Sequence, residues 1–112
     1  MHEQDCIFCK IIAGQIPGKI IYETEFSIVL QDVAPKAPIH YLILPKKHVQ
    51  DLTHLSSDDQ ALMIDMMLIP SHLAQKIGPD TSYRLLVNNG YAAGQRVFHL
   101  HLHFLSGKVY SE

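Results

Sequence analysis

Val97-Phe98-His99-Leu100-His101-Leu102-His103-Phe104-Leu105 alternates apolar side chains with histidines. A period of two marks a strand, because successive side chains point to opposite faces. Read that way, Phe98, Leu100, Leu102 and Phe104 face a core, while His99, His101 and His103 share the other face at steps of roughly 7 Å. Packing does not call for three imidazoles in a row. Grouping them in a partly desolvated place disfavours their charged forms, a cost expected where chemistry or a metal repays it. Two chemistries suit the row. A tri-histidine zinc centre would use neutral imidazoles and keep a position open for water. A metal-free site would use one neutral imidazole as a nucleophile, with its neighbours orienting it and meeting the developing charge. The residues alone leave both open, although no Glu or Asp stands beside the row to act as base for a metal-bound water.

Moving outward, Ser82 to Asn88 reads as a strand, joined to the histidine strand by the glycine-bounded loop Asn89 to Gly94. The main helix starts at a capping box formed by Ser57 and Gln60 and runs to the Gly78-Pro79 stop. Leu62, Met66, Ile69, Leu73 and Ile77 form its apolar stripe, and Pro70 is expected to kink or split it. Upstream, His40 to Leu44 is a buried strand ending at Pro45, preceded by a loop that Pro35 and Pro38 hold fixed. Lys19 to Glu23 and Phe26 to Gln31 read as two strands around a Thr24-Glu25 turn, and Cys6 to Ala13 as a short helix. The expected fold is α+β: an antiparallel sheet of about five strands with one long helix and one short N-terminal helix, all 112 residues forming one domain.

Composition narrows the partners. Nine Lys and Arg against eleven Asp and Glu give a formal charge of −2, and apart from Lys46-Lys47 the basic residues are scattered. A nucleic acid polymer demands a concentrated basic stripe and is not expected; a small nucleotide remains compatible. No apolar run reaches the ~20 residues of a membrane span, and the N-terminus lacks the basic and apolar regions of a secretory signal. A cytoplasmic location is therefore expected. In a reducing compartment Cys6 and Cys9 are thiols or metal ligands rather than a disulfide, and their CxxC spacing would need two further ligands to complete a zinc site.

His99-Leu100-His101-Leu102-His103-Phe104-Leu105 resembles the signature of the histidine triad (HIT) family. Further landmarks follow in the family's order: Cys6-Ile7-Phe8-Cys9, Ile39-His40 leading into Leu44-Pro45-Lys46-Lys47-His48, Asn88 to Gly90, and Gly94-Gln95. The resemblance implies a homodimer that hydrolyses or transfers nucleotides from purine nucleoside phosphoramidates or related nucleotidyl compounds, with no metal required for catalysis. It implies that His101 attacks the α-phosphorus, that His103 contacts the phosphate, and that His99 and His40 form a relay setting the tautomer of His101. Asp32 would accept from the ribose hydroxyls, and Asn88 and Gln95 would line the substrate site, Gln95 as a donor to the phosphate. Ile7, Phe8, Ile11, Leu30 and Val33 would sandwich the base. In some members the opening motif carries structural zinc, which here implicates Cys6, Cys9, His48 and His99. Arg96 departs from the resemblance, since a small hydroxyl residue commonly follows the glutamine. A zinc-binding, nucleotide-binding module with little catalysis is the alternative function.

Overall fold

In chain order the computed structural model, which describes residues 5–111, runs α1 (Ile7–Ile12), β1 (Ile20–Glu23), β2 (Ser27–Gln31), β3 (Ile39–Pro45), α2 (Gln60–Ile77), β4 (Tyr83–Leu86) and β5 (Leu102–Ser106). The five strands make one antiparallel sheet in the order β1-β2-β3-β5-β4. The fold class is the one expected.

The central strands β2 and β3 are nearly continuous apolar runs because both sheet faces are covered. Val29, Ile43, Leu102 and Phe104 pack with Leu62, Met66, Ile69 and Leu73 of α2. On the opposite face Ile28, Leu30, Leu42 and Leu44 pack with Cys6, Phe8 and Cys9 of the α1 segment. A strand buried on both sides loses the apolar–polar alternation of a half-exposed one. His103 and His40, alternating with Leu102, Phe104 and Tyr41, share the α1 face, opposite the long helix.

Several boundaries differ from the sequence reading. The capping box belongs to Ser56 and Asp59, because a 3-10 turn over Ser57–Asp59 precedes α2. Asp59 accepts from the Ser56 backbone N–H at 2.9 Å and from Lys47 Nζ at 2.6 Å. Pro70 does not split α2: it lies buried inside an unbroken helix. The apolar stripe ends at Leu73, since Ile77 is exposed.

The largest correction concerns the histidine strand, whose ladder begins at Leu102 rather than Val97. The Leu100 backbone N–H donates to Val49 O at 2.6 Å, so the chain before Leu102 leaves the sheet. Phe98 is consequently exposed instead of core-facing, and the three histidines do not share one strand face.

Candidate active site

The departure from β geometry separates the histidines into two groups. His99 is fully buried, and its Nδ1 lies 3.3 Å from Cys6 Sγ, 3.4 Å from Cys9 Sγ and 3.2 Å from His48 Nδ1. Cys9 Sγ in turn lies 3.2 Å from His48 Nδ1. On its other side His99 Nε2 sits 2.7 Å from Pro45 O, which can only accept; Nε2 therefore carries the proton and Nδ1 keeps a lone pair turned to the thiols. The four donor atoms lie within 4.8 Å of one another. Tetrahedral zinc with bonds of ~2.0–2.3 Å to nitrogen and sulfur spans ligand separations of this size, and a carbonyl behind a ligating imidazole is its usual support. Cys6, Cys9, His48 and His99 are thus a set that can bind a metal. Burial and then the neighbouring Cys9 push the Cys6 thiol up to about 11.

His101 and His103 remain with a cavity of about 440 Å3 that they line together with His40, Asp32 and Asn88. That volume suits a small ligand. His101 Nδ1 lies 2.8 Å from the backbone carbonyl of His99, so it is Nδ1 that donates and Nε2 that holds the lone pair. The carbonyl of His99, not its imidazole, performs the orienting role expected of a relay. His40 likewise contacts His103 instead of His101.

The contact between His40 and His103 has a direction. Lys36 N–H donates to His40 Nδ1 at 3.0 Å, which places the His40 proton on Nε2. Nε2 lies 2.9 Å from His103 Nδ1 and 3.3 Å from an Asp32 carboxylate oxygen. Since His40 donates, His103 Nδ1 accepts, and the proton of His103 sits on Nε2. One neighbouring imidazole therefore offers a lone pair at Nε2 and the other an N–H. Asp32, His40 and His103 also stand close enough to hold a cation, but this hydrogen-bonded chain already accounts for their proximity.

Burial keeps the cluster neutral. It lowers the pKa of His101 and of His40, in the latter against the opposing charge of Asp32. His103 is pushed down to about 4 by burial, then by His101 and His40. The Phe8 ring meets both groups edge-on, 5.1 Å from His101 and 5.9 Å from His99 between centroids.

The other expected residues divide. Asp32 lines the cavity while accepting from Ala34 N–H at 2.8 Å, so it closes its own loop and still offers a carboxylate. Asn88 lines it too, its amide held by Ala93 O at 2.9 Å. Gly94, at φ 102°, adopts a backbone conformation that favours glycine, and a Cβ there would crowd the Asn88 amide nitrogen at 3.3 Å. Gln95 is buried, and both amide protons go to backbone carbonyls, Gln50 O at 2.8 Å and Val97 O at 3.0 Å. Its carbonyl accepts from Gly90 N–H at 2.8 Å, so Gln95 braces the loop. Phe8 and Leu30 are core residues and Ile11 is partly buried beside them. Ile7 lines a second cavity of about 480 Å3 beside His48, and Val33 is fully exposed. Sequence reasoning overlooked Arg84, Leu86 and Leu105 on the cavity wall. Period two could have found them: Leu105 follows His103, and Arg84 shares a face with Leu86 on β4.

Among the described residues no helix is long and apolar enough to cross a membrane. Residues 13–109 match the family model of the HIT domain. The chain is 42% identical to a HIT-like protein of Synechocystis sp. over 108 residues, covering 96% of this chain and 95% of that protein. Among solved structures it superimposes on a HIT family hydrolase from Clostridium thermocellum with a TM-score of 0.89, at 38% identity over 96% of this chain and 94% of the other. A zinc-bound histidine triad family protein from Mycobacterium smegmatis matches with a TM-score of 0.79, at 32% identity over 96% and 78% of the two chains. The matched domain and these relatives agree: the chain belongs to the histidine triad family.

Proposed function

We propose that this protein is a nucleotidyl hydrolase or transferase that acts on purine nucleoside phosphoramidates or related nucleotidyl compounds through a covalent intermediate on His101. The observation that carries this reading is the 2.8 Å contact from His101 Nδ1 to the His99 carbonyl, which leaves Nε2 as the lone-pair nitrogen of a cavity-lining imidazole. Nε2 forms a bond to the α-phosphorus as the bond to the leaving group breaks, the leaving nitrogen keeping the electron pair and taking a proton from solvent; water then attacks the phosphorus, the phosphorus–nitrogen bond returns its electron pair to Nε2, and the water's proton passes to solvent. His103 Nε2–H meets a non-bridging phosphate oxygen, where a fixed donor lowers the barrier as charge builds up. Asp32 accepts from the ribose. The hydrolase among the structural relatives supports the reaction class.

Zinc belongs, in this reading, to Cys6, Cys9, His48 and His99, where it cross-links the N-terminal segment to the chain preceding β5; the zinc-bound relative supports that assignment. The same geometry argues against a tri-histidine metal centre, because His99 points to the thiols and His101 Nδ1 is engaged by a carbonyl. The protein acts as a homodimer. Ile64, Met67 and Leu68 form an exposed apolar row on the outer side of α2, and β4 ends the sheet with a free edge.

The deciding experiment is turnover of a fluorogenic adenosine phosphoramidate by His101→Ala. A loss of at least about 10⁴-fold in kcat with an unchanged circular dichroism spectrum is expected. A well-folded variant that retains turnover would sink the assignment.

A further inference from the structure

Cys6 and Cys9 are the chain's two cysteines, and the nucleotidyl chemistry proposed above uses neither. Neither lines the cavity of His101 and His103. They differ in what can reach them. Cys9 is 1% exposed and packs with Leu42 and Leu44 of β3. Cys6 is 7% exposed and stands in the wall of the second cavity, about 480 Å3, beside His48, Gln50 and Arg96. That volume admits small solutes, and its polar lining can hydrogen-bond to them.

The backbone brings the two sulfurs together. Cys6 is the N-cap of α1, with φ −86° and ψ 109°, and its Sγ accepts from the Cys9 N–H at 3.1 Å. The Cys6 sulfur is therefore held over the residue that carries the other one. Both sulfurs also stand about one nitrogen, His99 Nδ1, at 3.3 Å and 3.4 Å. CxxC is a spacing that dithiol–disulfide proteins use, and in a chain with two cysteines an intrachain disulfide has one possible pairing.

We propose that the Cys6 and Cys9 pair is a modification site for hydroperoxides, entered through the second cavity, with Cys6 as the attacking sulfur and Cys9 as the resolving one. The Cys6 sulfur attacks a peroxide oxygen, the O–O bond breaks, and the departing oxygen takes the thiol proton and leaves as water. Cys6 is then a sulfenic acid. The Cys9 sulfur attacks it, the S–O bond breaks, and that oxygen leaves as water with the Cys9 proton. Two thiols lose two electrons and the peroxide gains them. Where the sulfurs begin as thiolates, solvent supplies the two protons. Burial sets the order: peroxide in the cavity meets Cys6, and Cys9 behind it meets the sulfenic acid.

The consequence falls on the four-residue cluster, and this part rests on the zinc assignment above. A ligating sulfur is a thiolate, so the disulfide removes two of four donors and leaves His48 and His99 short of a closed tetrahedral set. The tie between the N-terminal segment and the chain preceding β5 is lost with the metal. A disulfide closing so short a loop constrains the unfolded chain little in return. Peroxide thereby triggers metal release and loss of stability, and a thiol reductant reverses both.

The test exposes the native protein, isolated with its metal, to hydrogen peroxide, maps its peptides by mass spectrometry and follows released zinc with a chromogenic chelator. An intrachain disulfide between Cys6 and Cys9 is expected, with one zinc released per disulfide, a Tm lowered to that of chelated protein, and recovery on adding dithiothreitol and zinc. With dimedone present during oxidation, the adduct should form at least about 10-fold faster on Cys6 than on Cys9. Gln50→Trp fills the cavity from an exposed position and should slow disulfide formation about 10-fold at unchanged zinc content. Thiols that stay reduced, a disulfide joining two chains, a dimedone adduct mainly on Cys9, or a rate unmoved in folded Gln50→Trp overturns the inference. Should Gln50→Trp fail to fold, the dimedone ratio in the native protein decides. The same disulfide in protein that never held zinc supports the thiol pair and overturns the zinc assignment instead.

Discussion

His40 Nε2 lies 2.9 Å from His103 Nδ1, and the Lys36 backbone amide on the far side of His40 makes the proton point from His40 to His103. A backbone N–H cannot change its role. It therefore dictates the tautomer of two imidazoles in succession and leaves His103 presenting an N–H to the cavity. Replacing His40 by Ala removes the dictation but none of the groups expected to touch substrate. Such supporting groups are typically worth about 10- to 100-fold in activity. Steady-state kinetics of His40→Ala should show a loss of that size mainly in kcat, and a loss confined to KM would show that His40 binds substrate directly.

The buried imidazoles carry a pH signature in stability. His103 titrates near 6.5 when unfolded and is held down to about 4 when folded. Between those values the unfolded chain binds the extra proton, so folding stability is intact above pH 6.5, falls as pH drops towards 4 and levels off below it. Urea unfolding across pH 7 to 4 should give a shallower decline for His103→Asn than for the native protein. Parallel declines would mean that His103 does not carry the effect.

Metal and chemistry should separate. Mass spectrometry under native conditions is expected to find one zinc per chain, lost in Cys9→Ala. A ligand present at about 1,000 times its Kd stabilises the folded state by about 4 kcal/mol, so chelation should lower Tm by many degrees. Chelated protein held below its new Tm should keep its turnover. Full loss of activity without unfolding would return the metal to the reaction itself.

The row Ile64, Met67 and Leu68 on α2 is predicted to be the centre of the homodimer, since apolar side chains three and four apart form one face. A Leu68→Glu substitution would place a carboxylate in that contact. Sedimentation velocity should show the dimer dissociation constant rising by at least about 100-fold with Tm of the monomer little altered. An unperturbed dimer would place the interface elsewhere.

The sheet could be read in the sequence because strands β2 to β5 each carry an apolar or alternating run, and α2 carries a periodic stripe. The end of the alternation at His99 could not. It depends on two carbonyls distant in sequence, Pro45 O for the imidazole and Val49 O for the Leu100 amide, and no local pattern announces them. That is why a row that reads as one strand face divides into one member of the Cys6, Cys9 and His48 cluster and two cavity residues. Gln95 shows the same gap: a polar side chain in a glycine loop has the composition of a phosphate contact, yet its three bonds to backbone are a loop brace. Period two placed His103 facing opposite to Leu102 and Phe104, whereas Arg84 joined the cavity wall only when β4 came alongside β5.

The central claim is that His101 Nε2 becomes covalently nucleotidylated. Acid or heat breaks a phosphorus–nitrogen bond to histidine readily, so the reaction should be quenched in alkali within milliseconds of mixing with excess adenosine phosphoramidate and digested for peptide mass spectrometry. The account predicts one adenylyl group on His101, forming and decaying fast enough to support kcat. Steady turnover with no adduct, or with an adduct on another residue, would contradict it.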